Sequence, residues 1–147
     1  MPTIQCAPSE TGGRATPAPA PPEQPDSPLA GRTILIAEDE ALMALDLEIT
    51  LAEAGALILG PVAQVGEGLS LAKAQDNLPS AALLDVNLCG EEVYPLAEWL
   101  AERGVPLVFH TGHASPAAIA ARFDAAAIFA KPADMQALLA ALVDATD

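Results

Sequence analysis

Aromatic residues are nearly missing from this chain: one Trp, one Tyr and three Phe make up 3% of its 147 residues. Any core must therefore be aliphatic, and the hydrophobic fraction of 52% supplies enough Leu, Ala, Val and Ile for one. Basic residues are also scarce, 6 Lys and Arg against 20 Asp and Glu, for a net charge of −14. Phosphate backbones are repelled by a surface of that sign, so nucleic acid is excluded as a partner; cations or a protein with a basic patch are not. There are only two cysteines, Cys6 and Cys89, with no metal-type spacing between them. They read as free thiols of a reducing compartment, which points to the cytoplasm. No apolar run approaches the roughly 18–20 residues of a membrane span. The opening MPTIQCAPSE has no basic stretch leading into an apolar one, so neither a signal peptide nor a membrane segment is expected.

Proline, by contrast, is concentrated. Residues 1–30 hold eight of the fourteen prolines and almost no large apolar side chains. Such a segment cannot bury enough surface to offset its ordering entropy, and 1–30 is predicted to be a disordered leader. No PxxP flanked by Arg marks it as a ligand. Residues 31–147 then form one domain, the default for this length.

Within that domain short apolar runs alternate with helical patterns five times. Thr33–Ala37 reads as a buried strand that ends at Glu38-Asp39-Glu40. A helix follows, with Leu42, Leu45, Ile49 and Ala52 as its core-facing stripe and Gly55 as its stop. Leu57–Val62 is a second strand, and its Gly60-Pro61 suits an edge. After a short helix over 67–76, Ala81–Leu84 forms a third strand that breaks off at Asp85 and a loop from Asn87 to Gly90. A helix with Pro95 in its first turn runs to Arg103. Val105–His110 is a fourth strand, ending at Thr111-Gly112. Ser115-Pro116 opens an Ala-rich helix to Phe123. Ala127–Ala130 is a fifth strand ending at Lys131-Pro132, and Asp134 caps a last helix with Leu138, Leu139, Leu142 and Val143 inward. This alternation gives an α/β fold: a five-stranded parallel sheet covered on both faces, flavodoxin-like, of order 2-1-3-4-5.

In that order the first and third strands are neighbours at the topological switch point, so Glu38, Asp39 and Asp85 converge at one sheet edge. Thr111 and Lys131 reach the same edge from the next two strands. Clustered carboxylates resist ionising together unless a cation shares the site. Oxygen ligands of this kind suit Mg²⁺, or Mn²⁺. Carboxylate, divalent cation, ammonium and hydroxyl together are the parts needed to move a phosphoryl group onto a carboxylate.

These residues, as ILIAEDE, LLDVNL, Thr111-Gly112 and Lys131-Pro132, resemble the receiver domain of two-component response regulators over about residues 32–145. The stretch GEEVYPLAEWLAERGVPLVFHTGH further resembles an atypical, stand-alone alphaproteobacterial subgroup with a PFxFATGY-like motif. The resemblance implies Asp85 as phosphoacceptor, Asp39 as a direct Mg²⁺ ligand with Glu38 acting through water, and the Asn87 backbone carbonyl as a further ligand. It implies Thr111 as the switch hydroxyl and Lys131 as the ion-pairing lysine. Three positions depart from it. Ile128 stands where most receivers carry Tyr or Phe, with Phe129 beside it, and His110 and His113 replace a small residue and the final Tyr of the subgroup motif.

The expected function is phosphoryl signalling. A histidine kinase or histidine phosphotransfer protein donates to Asp85, and output passes through contacts with a further protein, no effector domain following residue 147. Self-dephosphorylation makes it a timer rather than a metabolic enzyme. A receiver-like binding module that works without phosphorylation is the alternative.

Overall fold

The computed structural model of this chain describes residues 27–112 and 114–147. The stretch 1–26, which holds Cys6 and most of the Pro-rich segment, and His113 lie outside the described residues. The elements run β1 (Thr33–Ala37), α1 (Ala41–Glu53), β2 (Leu57–Val62), α2 (Val65–Lys73), β3 (Ala81–Leu84), α3 (Tyr94–Glu102), β4 (Leu107–Thr111), α4 (Pro116–Arg122), β5 (Ala127–Ala130) and α5 (Met135–Thr146). The five strands form one parallel sheet of order β2-β1-β3-β4-β5. This is the expected 2-1-3-4-5 arrangement, with the chain reversing direction across the sheet between β1 and β3.

Two aliphatic layers sandwich the sheet. On one face Leu35, Leu84 and Phe109 meet Leu96, Leu100 and Ile119 of α3 and α4. On the other Ile34, Ile36, Leu83 and Val108 meet Leu47 and Leu51 of α1 and Leu138 and Leu142 of α5. β1, β3 and β4 are buried almost throughout, as expected for strands covered on both sides. β2 is the edge strand its Gly60-Pro61 predicts. Gly60 has φ 102°, and a Cβ there would lie 2.8 Å from the Ile36 carbonyl, so only glycine fits beside β1.

Caps follow the sequence. Ser115 Oγ accepts the Ala118 N–H at the start of α4, and Asp134 accepts the Gln136 N–H at 3.0 Å at the start of α5. β4 is paired from Leu107 rather than Val105: Pro106 has no N–H to donate, and only its carbonyl bonds β3, accepting the Ala82 N–H at 3.0 Å. At the other end the strand runs on through Thr111, paired with Ala130 of β5. The folded part begins before residue 31: Leu29 is fully buried and its N–H reaches the Ala54 carbonyl at 2.9 Å.

One expectation is reversed. Leu42, Leu45 and Ile49 do not face the core; they are 82%, 51% and 48% exposed, and Ala52 is exposed with them. The buried stripe is Ala44, Leu47 and Leu51. α1 is apolar at two helical registers, and 3.6-residue periodicity is satisfied by either, so the pattern alone does not say which faces the sheet. Leu47 and Leu51 gain full burial, each worth about 1.5–3 kcal/mol. The other stripe stays on the surface.

A second difference lies after β3. Instead of an irregular loop, Asn87–Leu88 and Glu91–Glu92 pair as a small antiparallel hairpin. Its turn is Cys89-Gly90 with φ 51° and 85°, the two positive values that tight hairpins favour.

Candidate functional site

Parallel hydrogen bonding carries each strand one residue past its last rung and so fixes the residues that follow. The Asp85 N–H donates to the Ala37 carbonyl at 2.9 Å, the Glu38 N–H to Val62 at 2.9 Å, and the Lys131 N–H to Thr111 at 2.8 Å. Glu38, Asp85, Thr111 and Lys131 thus leave the same edge of the sheet from four different strands. Three are deeply buried: Glu38 at 3%, Asp85 at 7% and Thr111 at 3% exposure. Asp39 is exposed.

The ammonium of Lys131 is the hub. Its Nζ donates to Asp85 Oδ2 at 2.9 Å and lies 2.8 Å from Glu38 Oε1, an ion pair whose angle is poor for a hydrogen bond. Glu40 Oε1 stands further out at 3.7 Å. Burial alone would lower the Lys131 pKa; contacts with Glu38 and Asp85 outweigh it and raise the pKa above its usual value. Burial raises the Glu38 carboxyl, and the neighbouring Asp85 charge adds to this, against Lys131 and the Glu40 N–H.

Backbone donors orient the remaining oxygens. The Asn87 N–H donates to Asp85 Oδ1 at 3.2 Å, and the Glu40 N–H to Glu38 Oε2 at 3.1 Å. Asp39 Oδ2 accepts the Cys89 N–H at 2.9 Å. The Cys89-Gly90 turn therefore holds an acid 50 residues away in the chain. The Thr111 hydroxyl accepts the Ala114 N–H at 3.2 Å.

Oxygen atoms of Glu38, Asp39 and Asp85 all lie within 4.8 Å of one another. Asp39 and Asp85 line a pocket of about 390 Å³ together with Glu40, Asn87, Gly112 and Lys131. An all-oxygen donor set with open volume for waters fits a hard divalent cation. Of the residues expected at the site, Asp39, Asp85, Asn87 and Lys131 line this pocket, while Glu38 and Thr111 are buried and each touches Lys131, Glu38 through the ion pair and Thr111 through its carbonyl. Ile128 pairs in register with Phe109 and packs into the α3/α4 layer, whereas Phe129 packs into the α1/α5 layer. Sequence reasoning did not assign Glu40 or the Cys89 N–H. The first is signalled by the third acid of Glu38-Asp39-Glu40, the second only by Gly90 after Cys89. Of the two histidines singled out, His110 is buried at 1% exposure, and His113 is outside the described residues.

No family model matches this sequence, and no curated protein matches it. Solved structures do. SdrG from Sphingomonas melonis Fr1 is 37% identical, with TM-score 0.65, over 82% of this chain and 98% of its own. A response regulator receiver protein from Sinorhizobium medicae WSM419 is 27% identical, with TM-score 0.69, over 79% and 97%. A CheY-like response regulator receiver domain protein from Methanospirillum hungatei JF-1 is 26% identical, with TM-score 0.68, over 79% and 94%. Among the described residues no helix is long and apolar enough to cross a membrane.

Proposed function

The chain belongs to the response-regulator receiver family, and on that premise we propose that it accepts a phosphoryl group on Asp85 from a histidine kinase or histidine phosphotransfer protein. The observation that carries this reading is the contact of Lys131 with both Asp85 and Glu38 at the rim of an open acidic pocket. An ammonium already paired with the nucleophile's carboxylate is in place to receive a second anion there.

In the proposed reaction an oxygen of Asp85 attacks the phosphorus of a phosphohistidine. The P–O bond forms, the P–N bond breaks, and the electron pair returns to the donor imidazole. Lys131 takes one phosphoryl oxygen and the Thr111 hydroxyl donates to another, relieving the charge that accumulates over a buried carboxylate. Glu38, Asp39 and Asp85, with the Asn87 carbonyl, would hold Mg²⁺. Bound there, the cation supplies neutralisation of the phosphoryl oxygens that three acids would otherwise repel. Water later hydrolyses the acyl phosphate and resets the protein.

The exposed stripe of Leu42, Leu45 and Ile49 lies on α1, the helix that starts directly after the acidic run. Acids Asp46 and Glu53 flank it. It supports a donor protein laid along α1 with an apolar seam and a basic border, its phosphohistidine above Asp85. Output passes through contacts with a further protein; the stretch from Gly90 to His113 favours the atypical PFxFATGY-like subgroup, while Ile128, His110 and His113 depart from the usual pattern.

Incubation with acetyl phosphate and Mg²⁺, resolved on a phosphate-affinity gel, tests the reading. Wild type is expected to shift and Asp85→Asn not to shift. Absence of a shift in wild type, with no Mg²⁺ binding, would move the protein to the phosphorylation-independent binding module.

A further inference from the structure

His110 is the one buried histidine among the described residues, and neither Nδ1 nor Nε2 has a hydrogen-bond partner. A neutral imidazole carries one N–H and one lone pair. Leaving both unpaired in an aliphatic interior is costly, and an apolar side chain of similar volume would avoid the cost.

Register shows what stands next to the ring. Leu84 of β3 pairs with Phe109 of β4, and His110 pairs with Phe129 of β5. The next position on the β3 side is Asp85. Neighbours across a parallel sheet project to the same face, so imidazole and carboxylate leave the sheet side by side. That face is the α1/α5 layer, where Phe129 packs. Charged groups within electrostatic reach of the ring are Lys131, Asp85 and Glu40. Burial, aided by Lys131 and opposed by Asp85 and Glu40, lowers the ring's pKa and so favours the neutral form, which brings an N–H rather than a charge.

A switch needs an interaction that differs between its two states. In the unphosphorylated chain Asp85 is satisfied by Lys131 and by the Asn87 N–H, and His110 by nothing. Resting on Asp85 as acceptor, we infer that His110 is a latent hydrogen-bond donor, unpaired while Asp85 is free and paired with an acyl-phosphate oxygen at residue 85 once Lys131 turns to the phosphoryl group. His110 is thus a positioning residue that lengthens the life of the phosphorylated state. No bond is made or broken by it; one hydrogen bond forms where none existed.

The full chain, its His110→Leu and its His110→Gln variants are labelled with acetyl phosphate and Mg²⁺. Acetyl phosphate is then removed and decay of the label is followed on a phosphate-affinity gel. His110→Leu is expected to unfold at a higher denaturant concentration than wild type when unphosphorylated, yet to lose label about tenfold faster, the factor that one hydrogen bond of about 1.4 kcal/mol gives. His110→Gln, which keeps a donor, is expected to recover most of the lifetime, a rescue that mere packing would not produce. Equal decay in wild type and His110→Leu overturns this inference alone. Failure of wild type to take up label overturns it together with the assignment of Asp85. A second readout does not depend on hydrolysis: the ring N–H signal of His110, identified by its loss in His110→Leu, is followed by ¹⁵N NMR as beryllofluoride is added with Mg²⁺. A downfield shift supports the new hydrogen bond, and an unchanged signal overturns it.

Discussion

Lys131 donates a hydrogen bond to Asp85 at 2.9 Å across 46 residues of sequence. The same ammonium holds Glu38, whose side chain is 1% exposed. Two buried carboxylates therefore share one cation, and that cation is the group a phosphoryl oxygen would compete for.

Removing it should leave uncompensated charge. Lys131→Met is expected to lower unfolding stability by roughly 3 kcal/mol, the usual cost of breaking one side of a buried ion pair. Asp85→Asn, which relieves repulsion with Glu38, should cost far less. Millimolar Mg²⁺ should restore much of the Lys131→Met loss, since a divalent cation replaces the missing charge. Urea titration with and without Mg²⁺ checks this; equal stability of Lys131→Met and wild type would contradict it.

The two stripes of α1 give a sharper contrast. Leu47→Ala, in the core, should cost about 2–5 kcal/mol, whereas Leu45→Ser and Ile49→Ser, half exposed, should change stability by less than about 0.5 kcal/mol. If the exposed stripe seats a phosphodonor protein, the two serine variants should take up label normally from acetyl phosphate and slowly from a phosphorylated donor protein. Equal rates from both donors would dismiss that role.

These contrasts mark where the sequence was legible. An apolar run that stops at a polar residue is a one-dimensional signal, so the strand ends at Glu38, Asp85, Thr111 and Lys131 could be read, and alternation with helices gave the strand order that gathers them. Which stripe of α1 faces inward depends on the opposing sheet surface, which a helical period does not contain. The hairpin at 87–92 hides for another reason: Cys89 is an unusual residue for a positive φ, and only Gly90 hints at the turn. Nor does a histidine in a strand announce that its nitrogens will be left unpaired. That follows from which neighbours supply donors, a three-dimensional fact.

The Cys89 turn should be sensitive to side-chain shape. At φ 51° a β-branched residue is strained. Cys89→Val is expected to lose about 1–2 kcal/mol and to weaken Mg²⁺ binding by displacing the N–H that holds Asp39. Cys89→Asn, which tolerates this conformation, should do neither. Urea midpoints and a Mg²⁺ titration of the two variants decide it.

Acid should act through His110. Its folded pKa lies below the ordinary 6.5, so the unfolded chain binds the proton first. Stability is complete above about pH 6.5 and falls as pH drops through the window down to the folded value, with a slope of at most about 1.4 kcal/mol per pH unit from this residue. His110→Leu should flatten that part of the curve. A slope unchanged by the substitution would assign it to other groups.

The most direct test of the central claim locates the acyl phosphate. The full chain is treated with acetyl phosphate and Mg²⁺, reduced with borohydride, which converts an aspartyl phosphate to homoserine, and digested for mass spectrometry. Homoserine at residue 85, and at no other acid, is the predicted result. Homoserine at Asp39 or elsewhere, or none in a chain that binds Mg²⁺, would contradict the assignment of Asp85 as the phosphoacceptor.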